Sequence, residues 1–360
     1  MKITFPHMGT SPIAFRMLIE KLGHQAVMPK RPSEKTLSLG SHYAPEFACL
    51  PFKILLGTYL EALEEGAEMV ITSGGLGPCR AGYYAVLHDK ILKDLGYHID
   101  FVVLEPPQKR AVDFLKKLKK ITSGNSMSVV WEALSTTWTK IKVLDEIESM
   151  TYEIRPFEVN KNETTKIFEE CLKIIDAAWT KEQILSSKGK CLELLNSIPV
   201  DAARNPLKVG IIGEIYVVLE PAANFDIQRV LGEMGVIARR SIYLLDWTKD
   251  NTFFKGEEHI KHAAKPYLNQ MVGGHGTLSV GNTVLYSREG YDGVIQLAPF
   301  ACIPEIVSKS ILNKVTKDLD IPLLTLFLDE QTGKAGINTR LEAFVDLMYS
   351  KRRLKQGVVV

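Results

Sequence analysis

Two rhythms of apolar and polar positions alternate along the chain. Short apolar runs, each the length of a buried strand, fall at residues 2–5, 25–28, 69–72, 101–104, 207–213, 236–238, 293–297 and 323–328. Between them apolar residues recur at helical spacing, as at Ile13, Phe15, Leu18, Ile19 and Leu22, or at Ile54, Leu55, Tyr59, Leu60 and Leu63. The punctuation agrees with both rhythms. Ser11 is placed as an N-cap with Pro12 at the first helical position, Gly23 ends that helix, and Pro51 opens the helix 52–65. Further helices are expected at 36–40, 83–95, 225–234 and, at the end of the chain, 339–351. Strand, turn, helix and next strand in that order build a parallel, Rossmann-like sheet.

The strand rhythm vanishes in the middle of the chain. From 108 to 205 only helical patterns remain, at 111–118, 128–147, 164–179 and 184–195. Strand-like runs resume after Asn205-Pro206. The fold class is therefore α/β: two Rossmann-like domains with parallel sheets and a helical insertion between them. The boundaries are 1–107 for the N-terminal domain, 108–205 for the insertion, 206–338 for the second domain, and 339–360 for a C-terminal helix and tail.

Composition narrows the function classes. A net charge of +2 with 24% charged residues gives no pull toward nucleic acid. The basic clusters 116–120 and 351–353 are short and read as solvated helix ends. The N-terminus enters its first strand without an apolar leader, and no stretch has the length of a membrane span. A cytoplasmic protein without a membrane partner is expected. The first turn lacks Gly-x-Gly-x-x-Gly, and Gly-x-x-x-x-Gly-Lys-[Ser/Thr], a Ser-His-Asp order and His-Glu-x-x-His are all missing.

Five cysteines, an odd count, argue against a disulfide framework and leave metal binding, redox chemistry or burial. Cys171 and Cys191 fall among helical apolar positions and read as core. Cys49, Cys79 and Cys302 differ, because each stands beside proline in an apolar or Gly-rich context. Cys79 and Cys302 follow apolar strands, on the edge where open α/β sheets bind ligands. Cys49 and Cys302 precede helix N-termini, whose N–H groups favour thiolate. Three such ligands on three loops suit a [4Fe–4S] cluster with one iron lacking a protein thiolate, whereas structural zinc takes four ligands. Burial as small hydrophobes stays open for each cysteine alone.

Six segments together carry a resemblance. They are Phe5-Pro6-His7-Met8-Gly9, Pro45-Glu46-Phe47-Ala48-Cys49-Leu50-Pro51-Phe52-Lys53, and Gly74-Gly75-Leu76-Gly77-Pro78-Cys79-Arg80. The others are Val272-Gly273-Gly274-His275-Gly276 with Val280-Gly281-Asn282-Thr283, Pro299-Phe300-Ala301-Cys302-Ile303-Pro304-Glu305, and Leu328-Asp329-Glu330-Gln331-Thr332-Gly333. Spread over nearly the whole chain, they resemble the acyl-CoA dehydratase activase-related (CoA activase) family. That family is similar to the cluster subunits of 2-hydroxyacyl-CoA dehydratases and to double-cubane cluster proteins. The resemblance implies a [4Fe–4S] cluster on Cys49, Cys79 and Cys302, alone or as part of a double cubane. It implies reduction by an ATP-hydrolysing activator of the actin-like superfamily, here a separate protein. A paralogous subunit or a second copy would complete the assembly, and a small molecule or CoA thioester would be the substrate.

Other residues have two readings each. Glu305 orients the cluster or donates a proton, or is a helix N-terminal acid. His275 is a catalytic candidate that contacts a ligand or the cluster edge, or shapes a turn; His7, at the end of the first strand, contacts a ligand or shapes a turn. Arg80, with Gly77 beside the cluster, balances its charge or pairs with a surface carboxylate. Lys53 reads as a solvated helix residue, and Asp329 and Glu330 as structural unless more carboxylates converge. Two rival functions stay in play: a non-catalytic cluster-bearing or scaffold partner of an activase complex, and a nucleotide-binding protein whose loops 74–77 and 273–276 cradle phosphate.

Overall fold

The computed structural model describes residues 1–74, 78–104, 111–122, 124–253 and 256–355, with the side chains of 111–115 and 250–253 left aside. The N-terminal unit runs β1 (Lys2–Thr4), α1 (Ser11–Lys21), β2 (Gln25–Ala26), α2 (Glu34–Tyr43), α3 (Leu50–Glu64), β3 (Met69–Ser73), α4 (Tyr84–Asp94) and β4 (Asp100–Leu104). A 3-10 turn, Arg80–Tyr83, leads into α4. Helices α5 (Ala111–Ile121), α6 (Met127–Ile154), α7 (Glu163–Asp176) and α8 (Lys181–Asn196) follow. The second unit runs β5 (Leu207–Gly213), α9 (Ile215–Leu219), α10 (Ile227–Glu233), β6 (Val236–Arg240), α11 (Leu244–Phe253), α12 (Glu258–Ala264), α13 (Gly276–Arg288), β7 (Gly293–Pro299), α14 (Ile303–Asp318), β8 (Leu323–Leu328) and α15 (Lys334–Lys355).

Both sheets are parallel and four-stranded, in the orders β2-β1-β3-β4 and β6-β5-β7-β8. The second order repeats the first. In each sheet the chain starts in the middle, crosses to one side, then returns to the other. The reversal leaves a crevice at the carboxyl ends of β1 and β3, and another at those of β5 and β7. Strand β7 is buried along its full length, as expected for a parallel strand covered on both faces.

Several local expectations are corrected. Ser11 is the first helical residue of α1, and Thr10 is its N-cap. The short helix at 36–40 is ten residues long, because Ser33 and Thr36 form a reciprocal cap that starts it earlier. The terminal helix begins at Lys334 rather than 339.

One apolar core reaches from Leu50, Phe52 and Leu56 on α3 to Val209 on β5 and Leu297 on β7, so the two sheets share an interior. The middle helices pack onto both units. Ile141, Leu144 and Ile147 of α6 meet Ala14 and Met17 of α1 on one side and Leu244 and Leu245 of α11 on the other. Cys171 and Cys191 are fully buried in the same cluster, each thiol facing the other's carbonyl. Their reading as core residues holds. Helices α2 and α3 cross at Gly40 and Gly57: a Cβ on Gly40 would lie 1.7 Å from the Lys53 carbonyl oxygen, and one on Gly57 would lie 1.9 Å from that of Thr36. Among the described residues no helix is long and apolar enough to cross a membrane.

Candidate functional site

Cys49, Cys79 and Cys302 occupy one structural position three times over. Each is the N-cap of the helix or turn that follows, with extended backbone: φ −71° and ψ 156° at Cys49, −72° and 132° at Cys79, −76° and 101° at Cys302. Proline at the start of α3 and α14 fixes the entry turn for two of them. No sulfur makes a capping hydrogen bond of its own, yet the amides of Phe52, Ala81 and Glu305 lie close enough to favour the three thiolates. Cys79 follows β3 and Cys302 follows β7, the same strand of the repeated sheet order. The two crevices are therefore equivalent.

Direct contacts join the three segments. Arg80 donates from Nη1 to the Phe47 carbonyl at 3.0 Å and from Nη2 to the Ala301 carbonyl, tying the Cys49 and Cys302 loops to the residue after Cys79. The surface carboxylate that was one reading for Arg80 is not its partner here; it bonds carbonyls, and its charge favours the thiolates of Cys49 and Cys79. Ala301 has φ 64°, a left-handed conformation that disfavours an L side chain by about 1–2 kcal/mol. That strain sits one residue before Cys302, where its carbonyl meets Arg80. The Gly-rich loop closes the group. Gly273 and Gly274 have φ of 82° and 48°; a Cβ on Gly273 would meet Pro78 at 2.8 Å, one on Gly274 would approach the Cys79 sulfur at 3.7 Å, and one on Gly276 would press on the Pro304 carbonyl at 2.5 Å. Packing against Pro78, Cys79 and Pro304 explains these glycines without a phosphate.

Charge is scarce in the site. Burial pushes all three thiols up, Cys302 furthest, and the Glu214 carboxylate adds to the effect at each. Cys49 also raises Cys302, so these two sulfurs feel one another. Tyr84 places its hydroxyl on the Cys49 sulfur and interacts with Cys79. Glu214, just past β5, caps α9 by accepting from the Val217 amide at 3.1 Å, and burial raises its carboxyl to about 7. Without a bound cation these sulfurs are neutral thiols; a metal would supply the charge that burial withholds.

The remaining candidates divide. Glu305 is fully buried in the first turn of α14, its carboxylate taking hydrogen bonds from Ser279 at 3.0 Å, Gln296 at 2.9 Å and Ser308 at 3.2 Å. It lies behind Cys302 rather than in the open. His275 is the N-cap of α13, partly exposed, and burial lowers it to about 4, leaving a neutral imidazole. His7 is drawn elsewhere: its Nδ1 lies 2.7 Å from Glu220, which also accepts from the Gly9 amide at 2.9 Å. Lys53 is not a solvated residue but is 4% exposed, paired with Glu330 at 2.6 Å. Asp329 accepts from Gln331 and Thr332 in its own turn, a structural role. Gly77 lies outside the described residues. Sequence reading passed over Tyr84 and Glu214; the signal for Glu214 was its place at the end of β5, beside the reversal of strand order.

Around the cysteines the surface is apolar. Phe47, Tyr83, Met271, Phe300 and Ile303 are more than half exposed, and each stands within a few residues of a cysteine or of the Gly-rich loop. The fold defines a class: an α/β protein with two parallel, Rossmann-like four-stranded sheets of the same strand order, with Cys79 and Cys302 following the equivalent strands β3 and β7. No family model matches the chain, and no curated protein does either. Among the described residues no three His, Cys, Asp or Glu side chains are close enough together to hold a single metal ion. A cubane asks for something different, since each thiolate binds its own iron and the ligands need not converge on a point. Each of the three thiols has what such a ligand uses, a neighbouring backbone amide, and all three share the field of Glu214.

Proposed function

We propose that this chain is an iron–sulfur redox protein of the 2-hydroxyacyl-CoA dehydratase type. Its cluster would be held by Cys49, Cys79 and Cys302. One observation carries the reading: cysteines separated by 30 and 223 residues all become N-caps in the extended region, linked through Arg80 and sharing the field of Glu214. Nothing in core packing alone asks for that repetition.

A bound [4Fe–4S] cluster would supply one-electron transfer at low potential and, at an iron without a thiolate, a coordination position for substrate. The chain's own residues would do the rest. The amides of Phe52, Ala81 and Glu305 favour the charged sulfurs. Arg80 holds the loops in register. Glu305, through Gln296 and Ser279, fixes the start of α14 and hence Cys302. His275, a neutral imidazole in the loop that touches Cys79, would accept a proton from a small molecule or CoA thioester. The electron would come from a separate ATP-hydrolysing activator, for which the apolar rim of Phe47, Phe300 and Ile303 offers a landing surface. A paralogous subunit or second copy would complete the assembly.

The test is anaerobic reconstitution with iron and sulfide. A brown protein with about four irons per site is expected, and Cys79→Ala should lose the colour. A colourless wild-type protein, indistinguishable from Cys79→Ala, contradicts the proposal.

A further inference from the structure

Cys49 and Tyr84 are 35 residues apart, yet the Tyr84 hydroxyl lies directly against the Cys49 sulfur. The contact joins the N-cap of α3 to the first residue of α4. The Tyr84 ring has little freedom. Phe52 meets it edge-on at 5.2 Å, and His88 lies tilted against it at 5.9 Å. His88 is itself stacked on Phe52 at 4.0 Å, hydrogen-bonded to the Phe52 carbonyl at 3.1 Å, and backed edge-on by Tyr59 at 5.3 Å. The hydroxyl is thus aimed by an aromatic file buried between α3, α4 and the sheet.

The direction of the bond follows from chemistry. A phenol carries one O–H, and a metal-bound thiolate carries no proton, so the tyrosine must donate. Among the described residues neither Cys79 nor Cys302 has a side-chain hydroxyl of this kind. The three sulfurs are therefore unequal. Hydrogen bonds to cluster sulfurs raise reduction potential, because the reduced state places more negative charge on sulfur.

We propose that the Tyr84 hydroxyl donates a hydrogen bond to the metal-bound Cys49 sulfur and makes the site easier to reduce. This rests on the cysteine-held cluster proposed above. Tyr84 is a positioning residue, acting on the site through Cys49.

The experiment is a redox titration of the reconstituted protein, followed by electron paramagnetic resonance with a chemical one-electron reductant. Tyr84→Phe keeps the ring and removes the donor. Its midpoint is expected to fall by about 59 mV, a tenfold change in a one-electron equilibrium, at unchanged iron content and thermal stability. In a second variant 3-fluorotyrosine at position 84 keeps the ring and strengthens the donor, and its midpoint should move the opposite way. Iron-loaded variants with midpoints equal to wild type overturn the proposal while leaving the cluster intact. If Tyr84→Phe holds no iron, the fluorotyrosine protein decides: a positive shift supports the donor and no shift overturns it. A wild-type protein that takes up no iron overturns the cluster itself, and this inference with it.

Discussion

Three cysteines that each take an extended N-cap conformation, with φ between −71° and −76°, are the central residue-level fact, and their two buried counterparts provide a control. Cys171→Ala and Cys191→Ala should leave iron content unchanged while costing up to about 1–2 kcal/mol in denaturant unfolding, since each removes one small buried side chain. Loss of iron in either would break the division made between the two groups. Asp145 offers a test remote from the cysteines. It caps α11 by accepting from the Leu245 amide at 2.9 Å, and burial raises its carboxyl to about 7, with Arg240 opposing and Glu148 and Asp246 reinforcing. Between pH 4 and 7 the folded chain keeps a proton that the unfolded chain has lost, so stability falls as pH rises through that window. Asp145→Asn lacks this contribution. Its stability relative to wild type should climb with a slope of up to about 1.4 kcal/mol per pH unit, measured by urea unfolding at pH 5 and 7. A flat difference would contradict the assignment.

The elements show how far sequence carries. Strands β5 and β7, central in their sheet, were legible because parallel strands covered on both faces read as nearly continuous apolar runs, and the edge strand β8 keeps such a run although it is partly exposed. Cys49 and Cys302 were legible as helix-leading residues because a proline follows each closely. What was hidden is what depends on long-range neighbours. Lys53 sits on a helix whose spacing says nothing about Glu330, 277 residues away, and His7 gives no hint of Glu220. Tyr84 looked like any aromatic at the start of a helix until α3 brought Cys49 to it. The Gly40–Gly57 crossing belongs to the same class, since no local pattern announces that α2 and α3 touch backbone to backbone. Gly57→Ala should cost about 1–3 kcal/mol by overpacking, read by thermal unfolding. It should also lower iron retention, because α3 carries Cys49 at its head. A neutral substitution there would mean the helices can separate without consequence.

At the scale of the whole molecule, two α/β units are bound across their sheets by buried polar ties. His7 to Glu220 and Lys53 to Glu330 link the first unit to the second, and Arg240 to Glu148 at 2.7 Å links β6 to α6. Their removal should act on the site at a distance, since Cys49 and Cys79 belong to one unit and Cys302 to the other. Lys53→Met is expected to lower stability by about 1–3 kcal/mol, the partly exposed Glu330 softening the penalty of a stranded charge. It should speed iron loss to a chelator more than a surface Lys→Met change does. Equal rates would detach the ties from the site.

The most direct measurement is electron paramagnetic resonance of anaerobically reconstituted, reduced protein, beside an iron and sulfide count. A cluster signal with about four irons per chain, absent from Cys49→Ala, Cys79→Ala and Cys302→Ala and intact in Cys171→Ala, is the expected result. A silent wild-type spectrum with no bound iron, or a signal that survives loss of Cys79, would contradict a cluster shared by the two sheets.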